Sequence, residues 1–232
     1  MKKAFTKGLI DGLPIGLGYL SVSFGFGILA ASLNISPFYA WLISATNLTS
    51  AGQAAGVEVI AACGTAIEMA LTQLIINLRY SLMGFSLTQK LDGSFTTLKR
   101  ILLSFGITDE IYAVAISKEG KISAKYMLGL IVLPFIGWTS GTALGAIAGE
   151  ILPKFIANVM GILLYGMFIA IFVPPAKKSK PVLLTVIFAA AISLVFKYLL
   201  PSVSFGFAII ISAVVSSAVI AALFPIKEEA AE

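Results

Sequence analysis

The sequence has no histidine, a single cysteine and little charge. Each absence removes a class of chemistry. Without histidine there is no imidazole base titrating near neutrality, no Ser–His dyad of the membrane-protease kind, and no ligand for most zinc sites. Cys63, alone in an apolar setting, leaves neither a disulfide framework nor a thiolate metal cluster. Charged residues make up 12% of the chain, against about 25% in a soluble domain. Hydrophobic residues make up 59% of the 232 positions, which is the balance of a polytopic membrane protein with no room for an attached soluble module. One transmembrane domain over residues 1–232 is therefore expected. The net charge of +5 collects between the apolar runs, as loop charge does in membrane proteins. There is no basic face or aromatic platform for nucleic acid, and no nucleotide-binding loop. An enzyme is not expected, nor any metal or cofactor.

What is present is polarity inside apolar runs. Residues 68–87 make a stretch whose twenty residues, at about 1.5 Å each, cover the roughly 30 Å hydrocarbon layer of a bilayer. Arg79 lies near its middle, where a guanidinium is costly to bury and is usually aimed at a partner or a wet cavity. At about 100° per residue, Glu68, Thr72, Arg79 and Ser86 share one helix face. Gln73, Asn77, Tyr80, Ser81 and Gly84 fall roughly opposite. Leu71, Leu74, Ile75, Leu78, Leu82 and Phe85 form the purely apolar stripe. Such a helix belongs inside a bundle, touching lipid along one edge.

The other segments follow from the same reading. A first span, 13–33, comes after Lys2, Lys3 and Lys7, which predicts a cytoplasmic N-terminus. It is long and lacks a small-residue cleavage site, so it is expected to be retained. Pro14 is expected near its start, where a missing N–H costs little. The spacing of Gly8, Gly12 and Gly16 leaves one side smooth for close helix contact. A second run, 37–64, is apolar at both ends and polar between, around Asn47, Thr49, Ser50, Gly52, Gln53 and Glu58. It is the expected broken helix, since backbone leaves a helix at membrane depth only beside protein or a water-lined cavity. A fourth run, 101–117, carries Asp109 and Glu110 at its centre, on different sides of the axis, and is short enough to be tilted or re-entrant. A fifth, 126–151, holds Gly137, Gly141, Gly145 and Gly149 at a strict interval of four, the mark of tight helix packing. Its Leu133-Pro134 and Gly145 repeat the spacing of Leu13-Pro14 and Gly25, a hint of internal duplication. Further runs at 157–173, 182–200 and 203–224 have little interior polarity and are expected to be scaffold. The predicted fold is an all-α polytopic helical bundle with seven or eight membrane segments, at least one of them broken or re-entrant. With eight full spans the loop from Lys90 to Arg100 falls outside. If the second run is re-entrant and the fourth does not cross, every lysine-rich loop lies inside.

Three pieces in order, Ser50-Ala-Gly-Gln-Ala54, Asn77-Leu-Arg-Tyr-Ser81 and Thr108-Asp-Glu-Ile-Tyr-Ala113, resemble the AzlC family, with the likeness densest over 46–115. The family usually has an aromatic after the glutamine, where this chain has Ala54. The resemblance implies the large subunit of a two-component branched-chain amino acid exporter of the cell membrane, acting on leucine, isoleucine, valine or methionine. It also implies a small AzlD-type membrane subunit as partner. From the residues themselves, Ser50, Gly52, Gln53, Asn77 and Arg79 are the candidate substrate contacts. A guanidinium fork matches a carboxylate, but an ion pair with Asp109 or Glu110 would also satisfy Arg79. Asp109, Glu110 and Glu68 are candidate proton carriers or ion-pair partners. A secondary transporter driven by an ion gradient, most simply protons, fits the missing nucleotide loop. A membrane-embedded capture subunit serving a separate ATPase is the alternative.

Overall fold

The computed structural model describes residues 2–153, 155, 166, 169 and 172–225. Its elements are α1 (Lys2–Ser32), α2 (Pro37–Thr46), α3 (Ser50–Ala61), α4 (Ala66–Thr88), α5 (Thr97–Ser104), α6 (Asp109–Ser117), α7 (Ala124–Ile151), α8 (Lys180–Leu199) and α9 (Phe205–Leu223). No strand occurs among the described residues; one isolated parallel bridge joins Leu91 to Ile122. The chain is an all-α membrane protein. Four of these helices are long and apolar enough to cross a bilayer: Lys3–Ser32, Ala124–Ile151, Lys180–Leu199 and Phe205–Leu223. The expected run at 157–173 lies almost wholly outside the described residues.

Two compact units make up the chain, Met1–Val57 with Ile76–Leu164, and Glu58–Ile75 with Tyr165–Glu232. The first is organised around α1 and α7, whose glycine faces meet backbone to backbone. A Cβ placed on Gly137 would land on the Gly16 carbonyl oxygen, and one on Gly145 on the Phe24 carbonyl oxygen. From the other side, a Cβ on Gly8 would strike the Tyr126 carbonyl. The glycine intervals in both runs therefore serve close helix packing. Pro14 and Pro134 both lie inside these helices. For Pro14 this corrects the expected helix start. The helix begins at Lys2, ahead of the apolar run, so the proline removes an interior hydrogen bond rather than an unneeded one. Beneath the pair, Leu87, Phe95, Ile111, Ile122, Met127 and Leu130 form the main buried cluster.

The second run breaks as predicted. α2 ends with Asn47 in an extended conformation (φ −144°, ψ 95°), and α3 starts at Ser50. The fourth run breaks too, which moves its acids. Residues 101–117 fall into α5 and α6, each capped by a threonine: Thr96 accepts from the Lys99 N–H and Thr108 from the Ile111 N–H. Asp109 and Glu110 thus occupy the first turn of a short helix, not the centre of a crossing one. Carboxylates suit that position, because the helix dipole and free N–H groups favour negative charge there. Nine residues at about 1.5 Å each reach only about half the hydrocarbon layer.

In the second unit α8 lies against α9, with a 3.2 Å hydrogen bond from Ser193 to Ser212. Glu68 is buried here. Thr65 caps its N–H at 3.2 Å, and its carboxylate accepts the Gly206 N–H at 2.7 Å, the first turn of α9.

Candidate functional site

The break between α2 and α3 is held by one threonine. Thr49 Oγ1 accepts the Gly52 N–H at 3.4 Å, capping α3, while the Thr49 carbonyl accepts the Gln53 N–H at 3.0 Å. The same hydroxyl donates to Asn77 Oδ1 at 2.9 Å and receives the Tyr80 hydroxyl at 3.5 Å. α4 thereby lays Asn77 and Tyr80 along the break. Arg79 adds a hydrogen bond to the Tyr80 hydroxyl at 3.3 Å, with its guanidinium 5.0 Å from the Tyr80 ring centre.

Across from α4 stands the first turn of α6. Arg79 Nη2 meets Asp109 Oδ2 at 2.9 Å. The side chains keep 41% and 36% of their surface open, so neither member of the pair is enclosed by its own chain. Glu110 turns to α1 instead and accepts a short hydrogen bond from the Tyr19 hydroxyl, which also lies 2.6 Å from Thr108 Oγ1. The two acids thus point to different partners, as their angular separation on a helix requires.

Gln53 is differently placed. It is almost wholly buried, its carbonyl taking the Trp138 indole N–H at 2.8 Å and its amide donating to Ser44 Oγ at 3.1 Å. Ser44 in turn shares a 2.7 Å hydrogen bond with Thr142. This network ties α3 to α2 and α7. The Trp138 ring meets Tyr19 edge-on at 5.1 Å, so the scaffold network and the acid-bearing end are in van der Waals contact through two aromatics.

The structure therefore brings Arg79, Asn77, Asp109 and Glu110 into one polar cluster at the helix break. Ser50 opens α3, half-buried, and Gly52 is buried in its first turn. Glu68 belongs to the second unit. Tyr19, Thr49, Tyr80, Thr108 and Trp138 complete the cluster and were not named as candidates from sequence. For Tyr19 a signal existed: Gly12, Gly16, Tyr19 and Ser23 recur at helical spacing, so the tyrosine sits on the small-residue packing face rather than toward lipid. The arrangement offers a cation with an open side, a carboxylate already paired to it, and a second carboxylate held by a phenol.

A family model described as AzlC protein matches residues 14–152, a span that includes every residue of this cluster. The chain belongs to the AzlC family. Among similar proteins, the inner membrane protein YgaZ of Escherichia coli (strain K12) is 27% identical over 204 residues, covering 85% of this chain and 83% of the relative. The branched-chain amino acid transport protein AzlC of Bacillus subtilis (strain 168) is 24% identical over 180 residues, covering 76% and 70%. An uncharacterized membrane protein of Archaeoglobus fulgidus is 29% identical over 175 residues, covering 75% and 76%. No solved structure matches. For this AzlC-family protein, a membrane setting follows both from these relatives and from its apolar helices.

Proposed function

We propose that this chain is a secondary transporter that exports branched-chain amino acids (leucine, isoleucine, valine and, by the same fit, methionine), coupled to the proton gradient and working with a small AzlD-type membrane subunit. The observation that carries the reading is the half-open Arg79–Asp109 pair beside the helix break. An amino acid is a zwitterion, and it carries both charges needed to replace that pair. Its carboxylate takes the guanidinium fork, and its ammonium takes Asp109. Thr49 and Asn77 orient the polar end, with Ser50 and Gly52 lining the break. An exposed ion pair contributes only about 0–1 kcal/mol, so exchanging it for substrate costs little.

The exchange adds no net charge to the Arg79–Asp109 pair, which suits passage through a low-dielectric layer. Glu110, with the Tyr19 hydroxyl as donor, is assigned to proton coupling, and Asp109 to pairing, first with Arg79 and then with the substrate ammonium. Glu68 is assigned to holding the start of α9, since its carboxylate is already occupied there. The lipid-exposed leucines on α4, Leu74, Leu78 and Leu82, flank a charged cluster that bare hydrocarbon would not accept. That mismatch supports a second subunit, or a water-filled cavity formed with it, over the open side.

The test is efflux of labelled leucine from vesicles holding this chain and its small partner. Efflux is expected under a pH gradient without ATP, with its pH dependence flattened by Glu110→Gln. Efflux that requires ATP, or that ignores the pH gradient, would overturn the coupling.

A further inference from the structure

Helix α5 is short and apolar along one flank. Leu98, Ile101, Leu102 and Phe105 recur along one side at helical spacing and are all exposed, while no residue of α5 is buried. Its eight residues reach about 12 Å, far short of a crossing. It packs on the first unit through Leu103, which touches the main buried cluster. Lys99 and Arg100 stand between Leu98 and Ile101 in the same helix. A short helix with one greasy flank and basic neighbours lies along a membrane surface rather than through it.

Beside it is an apolar cleft of about 600 Å³, formed with the start of α7 and with Ala4 of α1. Leu102, Leu103 and Leu128 line it, and Lys99 and Lys125 belong to the same wall. Lys99 Nζ is anchored at 2.9 Å by the Ser94 carbonyl, which leaves its remaining protons for another acceptor. The volume falls in the range of small-molecule sites. Apolar walls with two ammonium groups ask for a ligand that is greasy and anionic in one molecule.

We infer that this cleft binds an anionic phospholipid of the surrounding leaflet, its acyl chain along Leu102 and Leu128 and its phosphate between Lys99 and Lys125. A membrane protein is surrounded by phospholipid, so this ligand class is at hand. A zwitterionic phosphatidylcholine fits less well, because its own choline cation opposes the two lysines.

The experiment uses full-length protein in phosphatidylcholine nanodiscs carrying a minor fraction of phosphatidylglycerol, with retained lipid read by native mass spectrometry. Wild type is expected to retain phosphatidylglycerol over phosphatidylcholine about thirtyfold, and the Lys99→Gln/Lys125→Gln variant to lose that preference. Lys177→Gln/Lys178→Gln, the same charge change elsewhere, should keep it. Equal retention of the two lipids by wild type, or a preference surviving in the cleft variant, overturns the assignment. If the double variant does not fold, Lys125→Gln alone decides: an unchanged preference refutes the site, a reduced one supports it.

Discussion

Arg79 binds one carboxylate at 2.9 Å while two-fifths of its side chain remains open. A guanidinium used only for structure would be expected to have its donors filled and its surface covered. Here the fork is half used. Arg79→Lys keeps the charge but loses the planar pair of donors. Leucine efflux is expected to fall at least about tenfold, the cost of one charged hydrogen bond of about 1.5–3 kcal/mol. The thermal midpoint should barely move, because exposed pairs add little to stability. Unchanged efflux would remove Arg79 from the site. Gln53 should behave in the opposite way. Gln53→Met fills a similar volume but strands the buried Trp138 N–H, at about 1–3 kcal/mol. Chemical unfolding of detergent-purified protein checks it, and an unaltered midpoint would contradict the scaffold role. Arg79 was legible in the sequence because a charge in an apolar helix stands out. Tyr19 and Trp138 were harder to see, since an aromatic in a greasy run looks like packing until its hydroxyl or indole N–H has a partner from another element.

At the scale of elements, the glycine intervals were readable and the helix boundaries less so. Gly8, Gly12 and Gly16, and Gly137 to Gly145, announced close packing, and the structure pairs those two faces in α1 and α7. Gly137→Leu should therefore lower the yield of folded protein sharply, since its Cβ meets backbone that cannot retreat. Gly18→Leu, on open space in the same helix pair, is the control and should be tolerated. Size-exclusion profiles and thermal midpoints distinguish them; equal behaviour would contradict the packing. The apolar stripe on α4 was also readable, and Leu71, Leu74, Leu78, Leu82 and Phe85 are indeed exposed. The fourth run misled because its apolar content averages across a break. The local evidence was finer: Thr96 and Thr108 each stand at a cap position before a helical turn, and Gly106 sits tight against Ile131 between them. Pro14 misled for the converse reason, as a polar N-terminal stretch continues the helix beyond its apolar part.

For the whole molecule, an excess of apolar residues fixes the membrane setting, and the scarce polar ones then carry nearly all the functional information. They gather where α3 begins, where α6 begins and where α4 passes between, in the first unit. No composition argument locates that meeting point, because Tyr19, Thr49, Arg79 and Glu110 lie far apart along the chain. The central claim is that a zwitterion replaces the Arg79–Asp109 pair. Its most direct test is competition against labelled leucine on the purified protein with its small partner in nanodiscs. Unlabelled leucine should compete at least about tenfold better than leucinamide, which lacks the carboxylate, and than 4-methylpentanoate, which lacks the ammonium. Leucinamide competing as well as leucine would contradict it.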